Sequence, residues 1–273
     1  MTIANPELFV PKIEGDLEGR IKKIRDQFKN QIYIAIIGAK EPLPGYTYKM
    51  GQYAGEAVRE WIGLKSGGYG YICTGGSEGV GVDAYMGVLS WCMRKDVLTS
   101  ITATEVDRAR FPEKFFTLVA DGAETHDHYH KVKHMKTRND TQTKEMHAGT
   151  SGQERRWYLA KIADASIVAN GQEGTLEEGL AALYWGNSII VLKDSGGAAK
   201  IFADLKMSPQ EYSKQESIVR AAGFKWDVNY EYLFRSGKIN GAKIHLVSGK
   251  KRGEIRKGLR WRLNKIFPER NGT

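Results

Sequence analysis

Cysteine is nearly absent from this chain of 273 residues: Cys73 and Cys92 are the only two. That is too few for a disulfide framework at this length, and both read as core residues in a reducing compartment. Proline is also scarce, at 7, and no internal repeat or low-complexity tract is present. Hydrophobic residues at 41% and charged residues at 27% match ordinary globular usage, which excludes a disordered, collagen-like or coiled-coil chain. The longest apolar stretches, such as Ile32 to Ala39, fall far short of the roughly 20 residues needed to cross a bilayer. The N-terminal stretch lacks a basic segment followed by an apolar core and a small-residue cleavage site, so no membrane partner and a cytoplasmic location are expected. No lysine marks a pyridoxal Schiff base, which argues against a decarboxylase of that type.

Charge is present in quantity and unevenly placed. Residues 1–205 hold 25 basic and 26 acidic groups, whereas residues 206–273 hold 16 and 6, so the last quarter carries the whole net charge of +9 and one unit more. Its densest part runs from Lys250 to Lys265 and is interleaved with Ile255, Leu259, Leu263 and Ile266 at helical spacing. Clustered cations beside Trp261 would suit phosphate contact. The apolar stripe instead argues for a helix docked on the body with its basic side in water, so weak or no nucleic-acid binding is expected.

Ile13, Leu17, Ile21, Ile24 and Phe28 recur at three- and four-residue spacing and predict an N-terminal amphipathic helix. Short apolar runs follow at Ile32–Ile37, Tyr69–Thr74, Phe115–Ala120, Ala165–Ala169 and Ser188–Lys193, alternating with helical stretches. This predicts an α/β fold: a Rossmann-like, doubly wound, mainly parallel sheet over residues 1–205. A polar, His-rich segment at about 121–152 reads as a long loop inserted over the carboxyl edge of the sheet. Residues 206–273 read as a basic α+β appendage packed on the same domain, with a strand at Ala242–Val247. Five of the six histidines, His126, His128, His130, His134 and His147, lie in that insertion, but their spacing fits no zinc signature, so no metal is expected. One of these side chains is a candidate for base recognition instead.

Two Gly-rich turns each follow a strand and open a helix: Gly75-Gly76-Ser77-Glu78-Gly79 and Asn170-Gly171-Gln172-Glu173-Gly174-Thr175-Leu176-Glu177-Glu178. At the carboxyl edge of an open sheet such turns aim unpaired N–H groups and helix N-termini at a ligand. Glycine permits close approach, and Thr175 is placed to cap its helix and to donate a hydroxyl to a phosphate oxygen. Glu177 and Glu178 admit a plain reading as complements to the helix dipole, and Arg155 one as a surface ion pair. Trp157 and Tyr158 read as core, with stacking on a base as the alternative.

With Arg155-Arg156 on the preceding helix, the second turn resembles the Pro-Gly-Gly-x-Gly-Thr-x-x-Glu motif of the lonely-guy family of phosphoribohydrolases, often mislabelled lysine decarboxylases. The first turn resembles that family's upstream Gly-Gly-Gly-Ser-x-Gly, and Gly38 matches the glycine after its first strand. The resemblance spans about Ile32 to Lys193. It implies hydrolysis of the N-glycosidic bond of a nucleoside 5′-monophosphate by a homodimer without a cofactor. Glu178 and Arg155 would then be catalytic. Gly38, Gly75, Gly76, Ser77, Gly79, Arg156, Gly171, Gly174 and Thr175 would bind substrate or phosphate. The chain departs from the motif at Asn170, which replaces proline, and at Gln172, which replaces glycine, while Glu173 adds a negative charge beside the anion site. Proteins of the wider Rossmann-like superfamily also sense or carry nucleotides or nucleotide cofactors without cleaving them, which is the alternative expectation.

Overall fold

The computed structural model describes residues 32–65, 70–74, 79–96, 115–119, 144–147, 152–207 and 212–268, with residues 18, 19, 21, 22 and 25. Most of the expected N-terminal helix and most of the His-rich insertion lie outside them. The chain runs β1 (Ile32–Gly38), α1 (Tyr48–Lys65), β2 (Gly70–Thr74), α2 (Val80–Asp96), β3 (Phe115–Val119) and β4 (Lys144–His147). It continues α3 (Gly152–Ile162), β5 (Ala165–Ala169), α4 (Glu173–Tyr184), β6 (Ser188–Leu192), α5 (Gly197–Met207) and α6 (Tyr212–Ala221). The last elements are α7 (Val228–Arg235), β7 (Ile244–Val247) and α8 (Arg252–Ile266).

All seven strands pair in parallel, in the order β4-β3-β2-β1-β5-β6-β7. The fold is α/β, Rossmann-like and doubly wound. β1 reads Ile-Tyr-Ile-Ala-Ile-Ile-Gly because both of its faces are buried. Ile32, Ile34 and Ile36 meet α1, α2 and α8, while Tyr33, Ala35 and Ile37 share a second core with α3, α4 and α5. After β4 the chain returns to the other side of β1, so β1 and β5 are neighbours with helices diverging from their carboxyl ends. Such a switch point leaves a crevice, where open α/β sheets take their ligands.

β4 corrects the sequence expectation, because residues 144–147, read as part of a long loop, form the edge strand. Lys-Glu-Met-His carries one apolar residue, which an edge strand tolerates because only one neighbour pairs with it.

Residues after 206 contribute β7 to the same sheet and α8 to one of its faces. Ile255, Leu259 and Leu263 are buried there among Val58, Trp61 and Val247. Arg252 and Arg256 pair with Glu56 and Glu60 of α1, and the Trp61 indole N–H donates to Asn264 Oδ1 at 2.9 Å. Glu254 accepts from the amides of Lys250 and Lys251, both at 3.1 Å, which closes the start of α8. Leu259→Ala is therefore expected to lower stability by about 2–5 kcal/mol, the usual cost of emptying a fully buried leucine site. Urea unfolding checks it; a loss below about 1 kcal/mol would mean that α8 is dispensable to the core.

Candidate functional site

The carboxyl ends of β1 and β5 meet the loops that follow them at close quarters. Gly38 closes β1 where any side chain would run into the Ala169 carbonyl and into Val80 of α2. Its glycine is thus demanded by packing, independently of any ligand. At the end of β5, Asn170 is fully buried with φ 57°, the only non-glycine residue at positive φ among the described residues. Asparagine is among the few residues that tolerate this region. Its amide donates to Ser195 Oγ at 2.6 Å, and its side-chain NH2 donates to the carbonyls of Leu43 (3.0 Å) and Ser195 (2.5 Å). Oδ1 accepts from the Leu43 amide at 2.8 Å. The Asn170 carbonyl accepts from Ala199 at the start of α5. One side chain thereby ties the loop after β1 to the loop after β6.

Gly171 follows with φ 106°, its Cα against Thr175. Gln172 occupies the N-cap position of α4 without a side-chain cap bond; its amide reaches the Glu41 carbonyl at 3.2 Å instead. Thr175 does not cap its helix as expected, because α4 already begins at Glu173 and Thr175 sits in the first turn, almost fully buried. The amides of Thr175 and Leu176 both donate to the Gln172 carbonyl at 3.0 Å. Those of Glu173 and Gly174 find no acceptor among the described residues. A Cβ on Gly174 would lie 3.5 Å from the Arg156 guanidinium, an ordinary contact, so that cation rests over the helix start without needing a glycine there.

The two carboxylates of the motif have unlike surroundings. Glu177 accepts from Gln153 Nε2 (2.6 Å) and Trp157 Nε1 (3.0 Å) on one oxygen. Its other oxygen accepts from Arg156 Nε (3.2 Å) and Nη2 (2.9 Å). Glu178, equally buried, has among the described residues a single contact, with Arg155 Nη1 at 3.5 Å. That is long for a charge-assisted hydrogen bond. Burial pushes the Glu178 carboxyl above its ordinary range; Arg155 and Arg156 oppose the shift and the Glu177 charge adds to it. Burial likewise lowers the Arg155 guanidinium. The Cys73 thiol near the end of β2 is pushed up by burial, then by Asp164 and Glu178. The Glu178 charge is thus felt at β2.

No protein-family model matches the chain, and no curated protein matches it. Among solved structures, the structural-genomics target TM1055 superposes with TM-score 0.45 at 13% identity, over 85% of this chain and 99% of its own. The molybdenum cofactor carrier protein of Chlamydomonas reinhardtii gives 0.46 at 10%, over 88% and 99%. DNA processing protein A of Helicobacter pylori, titled for its single-stranded DNA binding mode, gives 0.41 at 15%, over 70% and 80%. At these identities and scores the likeness says nothing of what this chain binds or does.

Of the residues singled out in the sequence, Arg155, Arg156, Gly171, Gly174, Thr175 and Glu178 come together at the start of α4. Gly38 lies across the β1–β5 crevice, and Gly79, with φ 72°, begins the turn into α2. Gly75, Gly76 and Ser77 lie outside the described residues, as do His126, His128, His130 and His134. Among the described residues no cluster of His, Cys, Asp and Glu has the form of a metal site. Trp157 and Tyr158 are core, which leaves neither ring face for a base. Tyr230 of α7, absent from the sequence reading, donates its hydroxyl to the Glu173 carbonyl at 2.9 Å. Nothing in the sequence pointed to it, because the contact joins residues 57 apart in the chain.

Proposed function

We propose that the chain hydrolyses the N-glycosidic bond of a nucleoside 5′-monophosphate, releasing free base and ribose or deoxyribose 5-phosphate. The observation that carries this reading is Glu178, a buried carboxylate at the switch point of the sheet whose one hydrogen-bonding contact among the described residues is with Arg155 at 3.5 Å. Cleavage of the C1′–N bond builds positive charge on the sugar, which a carboxylate at its face stabilises. Ionised Glu178 also takes the proton of the attacking water as oxygen bonds to C1′, while the departing base takes a proton from solvent. A carboxyl whose proton affinity is raised by burial suits that step. The unclaimed Glu173 and Gly174 amides, with Arg156 beside them, supply donors for the 5′-phosphate. This reading places the chain with the lonely-guy family and expects a homodimer, no metal or redox cofactor, and weak, salt-sensitive association with nucleic acid.

Incubation with a panel of ribo- and deoxyribonucleoside 5′-monophosphates, and the matching nucleosides, tests it by chromatography of free base. The monophosphate is expected to be preferred by at least about tenfold, the scale of one charge-assisted contact. Equal turnover of nucleoside and monophosphate would remove the anion site from the start of α4. A nucleotide that binds tightly and stays intact would make the chain a nucleotide or nucleotide-cofactor sensor or carrier.

A further inference from the structure

Glu177 is an unusual neighbour for a catalytic carboxylate, because all four donors on it come from a single helix. Gln153, Arg156 and Trp157 stand at i, i+3 and i+4 of α3 and form one stripe. Arg155 projects beside that stripe, toward Glu178 one position further along α4. The Arg156 fork and the indole N–H on a buried carboxylate fix both the rotation and the axial position of α3 against α4. This matters because Arg155 makes only its 3.5 Å contact with Glu178 and nothing shorter among the described residues holds its tip. A rotation of α3 by ~10° would carry a side-chain tip ~6 Å from the helix axis through about 1 Å, a displacement that can cost 10²-fold in rate.

We propose that Glu177 is a positioning residue: by gripping Gln153, Arg156 and Trp157 it registers α3 on α4, aims Arg155 at Glu178 and holds Arg156 over the start of α4. In its effect on rate, the inference rests on the hydrolase reading above.

Glu177→Gln keeps the shape but puts an NH2 against the Arg156 fork. The variant is expected to lower kcat by about 10–100-fold through the lost alignment of Arg155, and to raise KM for the monophosphate but not for the nucleoside, because Arg156 also leaves the phosphate site. A second readout separates positioning from bulk destabilisation. Glu178 is faced by Arg155 and Arg156 from α3, by Glu177 on α4 and by Cys73 on β2, while Tyr230 and Asp227 of α7 face Glu177. If Arg155 leaves Glu178, the variant loses the larger lowering contribution together with the smaller raising one from Glu177, so the acidic limb of the rate profile is expected to move to higher pH as kcat falls; a move to lower pH would mean that only the Glu177 charge was lost and Arg155 stayed. A variant that is merely less stable would leave that limb in place.

The positional claim is read without activity from a crystal structure of the same variant, in which Arg155 is expected to have left Glu178. An unmoved Arg155, or a kcat within twofold of wild type with an unshifted limb, overturns the inference. If the wild type releases no base yet Arg155 moves in the variant, the hydrolase reading fails and the registering role of Glu177 stands. Should Glu177→Gln fail to fold, Trp157→Phe removes one donor while leaving the carboxylate. The same displacement of Arg155 is then expected, on a smaller scale, and its absence overturns the inference.

Discussion

Glu178→Gln is expected to lower base release by at least about 10²-fold while leaving a folded protein, because it removes the charge that faces a cationic transition state. The variant also strands Arg155, so its stability is the sum of two opposed effects. Removing a buried carboxylate ends a desolvation penalty, and leaving a buried guanidinium without its partner adds one. The double variant Arg155→Met/Glu178→Gln separates them. With both charges gone it is expected to be at least as stable as wild type, and inert. The pH dependence follows from the direction of the Glu178 shift. A carboxyl raised by folding holds its proton more tightly in the folded than in the unfolded chain. Its contribution to stability is present in acid and is lost as pH rises from the ordinary carboxylate value through the raised one. Wild type should therefore lose stability relative to the double variant across that window. Denaturant melts at several pH values read this directly. A double variant less stable than wild type throughout would make the pair structural, and full activity in Glu178→Gln would move the chemistry off α4.

Asn170→Pro, which would install the residue that the resembled Pro-Gly-Gly motif carries at this place, is expected to cost about 4 kcal/mol or more and to leave little folded protein. Proline is locked near φ −65°, whereas this position holds φ 57°. The substitution also deletes the amide that donates to Ser195 Oγ and the side chain that joins Leu43 to Ser195. The Ser195 carbonyl would be left buried without its present partner, at a cost of about 1–3 kcal/mol, and the half-buried Leu43 amide would lose its acceptor. Soluble yield and a thermal melt check this. A stable Asn170→Pro protein would show that the loops after β1 and β6 do not depend on the tie.

Much of this architecture was legible in the chain. The apolar runs of β1, β5 and β6, spaced by helical stretches, are what strands buried on both faces require, and β2 and β3 follow the same alternation in the sequence. β4 escaped because Lys-Glu-Met-His lacks that signature, and pairing at an edge does not demand it. In the candidate site, residue types marked Glu178 and Arg155, but spacing along the chain does not distinguish Glu177 from Glu178. What separates them is the rotation of α3, which brings four donors from three side chains to one and a single distant guanidinium to the other. The left-handed Asn170 had a readable signal in the Asn-Gly pair, a turn dipeptide, which comparison with a proline-bearing motif masked. The Tyr230 hydroxyl on the first carbonyl of α4 had none, since the contact depends on where the chain returns after β6.

The docking of α8 also bears on how the protein is made. Ile32, Ile34, Ile36 and Trp61 share a core with Ile255, Leu259 and Leu263, which leave the ribosome after all seven strands. At roughly 10 residues per second, Leu263 follows the end of β6 by about 7 s. During that interval the face of the nascent sheet under α1 and α2 lacks the part of its cover that α8 supplies, and branched apolar side chains there are open to solvent. Holdase binding and proteolytic loss are expected to concentrate there, and any change that slows synthesis between Leu192 and Leu263 would prolong the exposure.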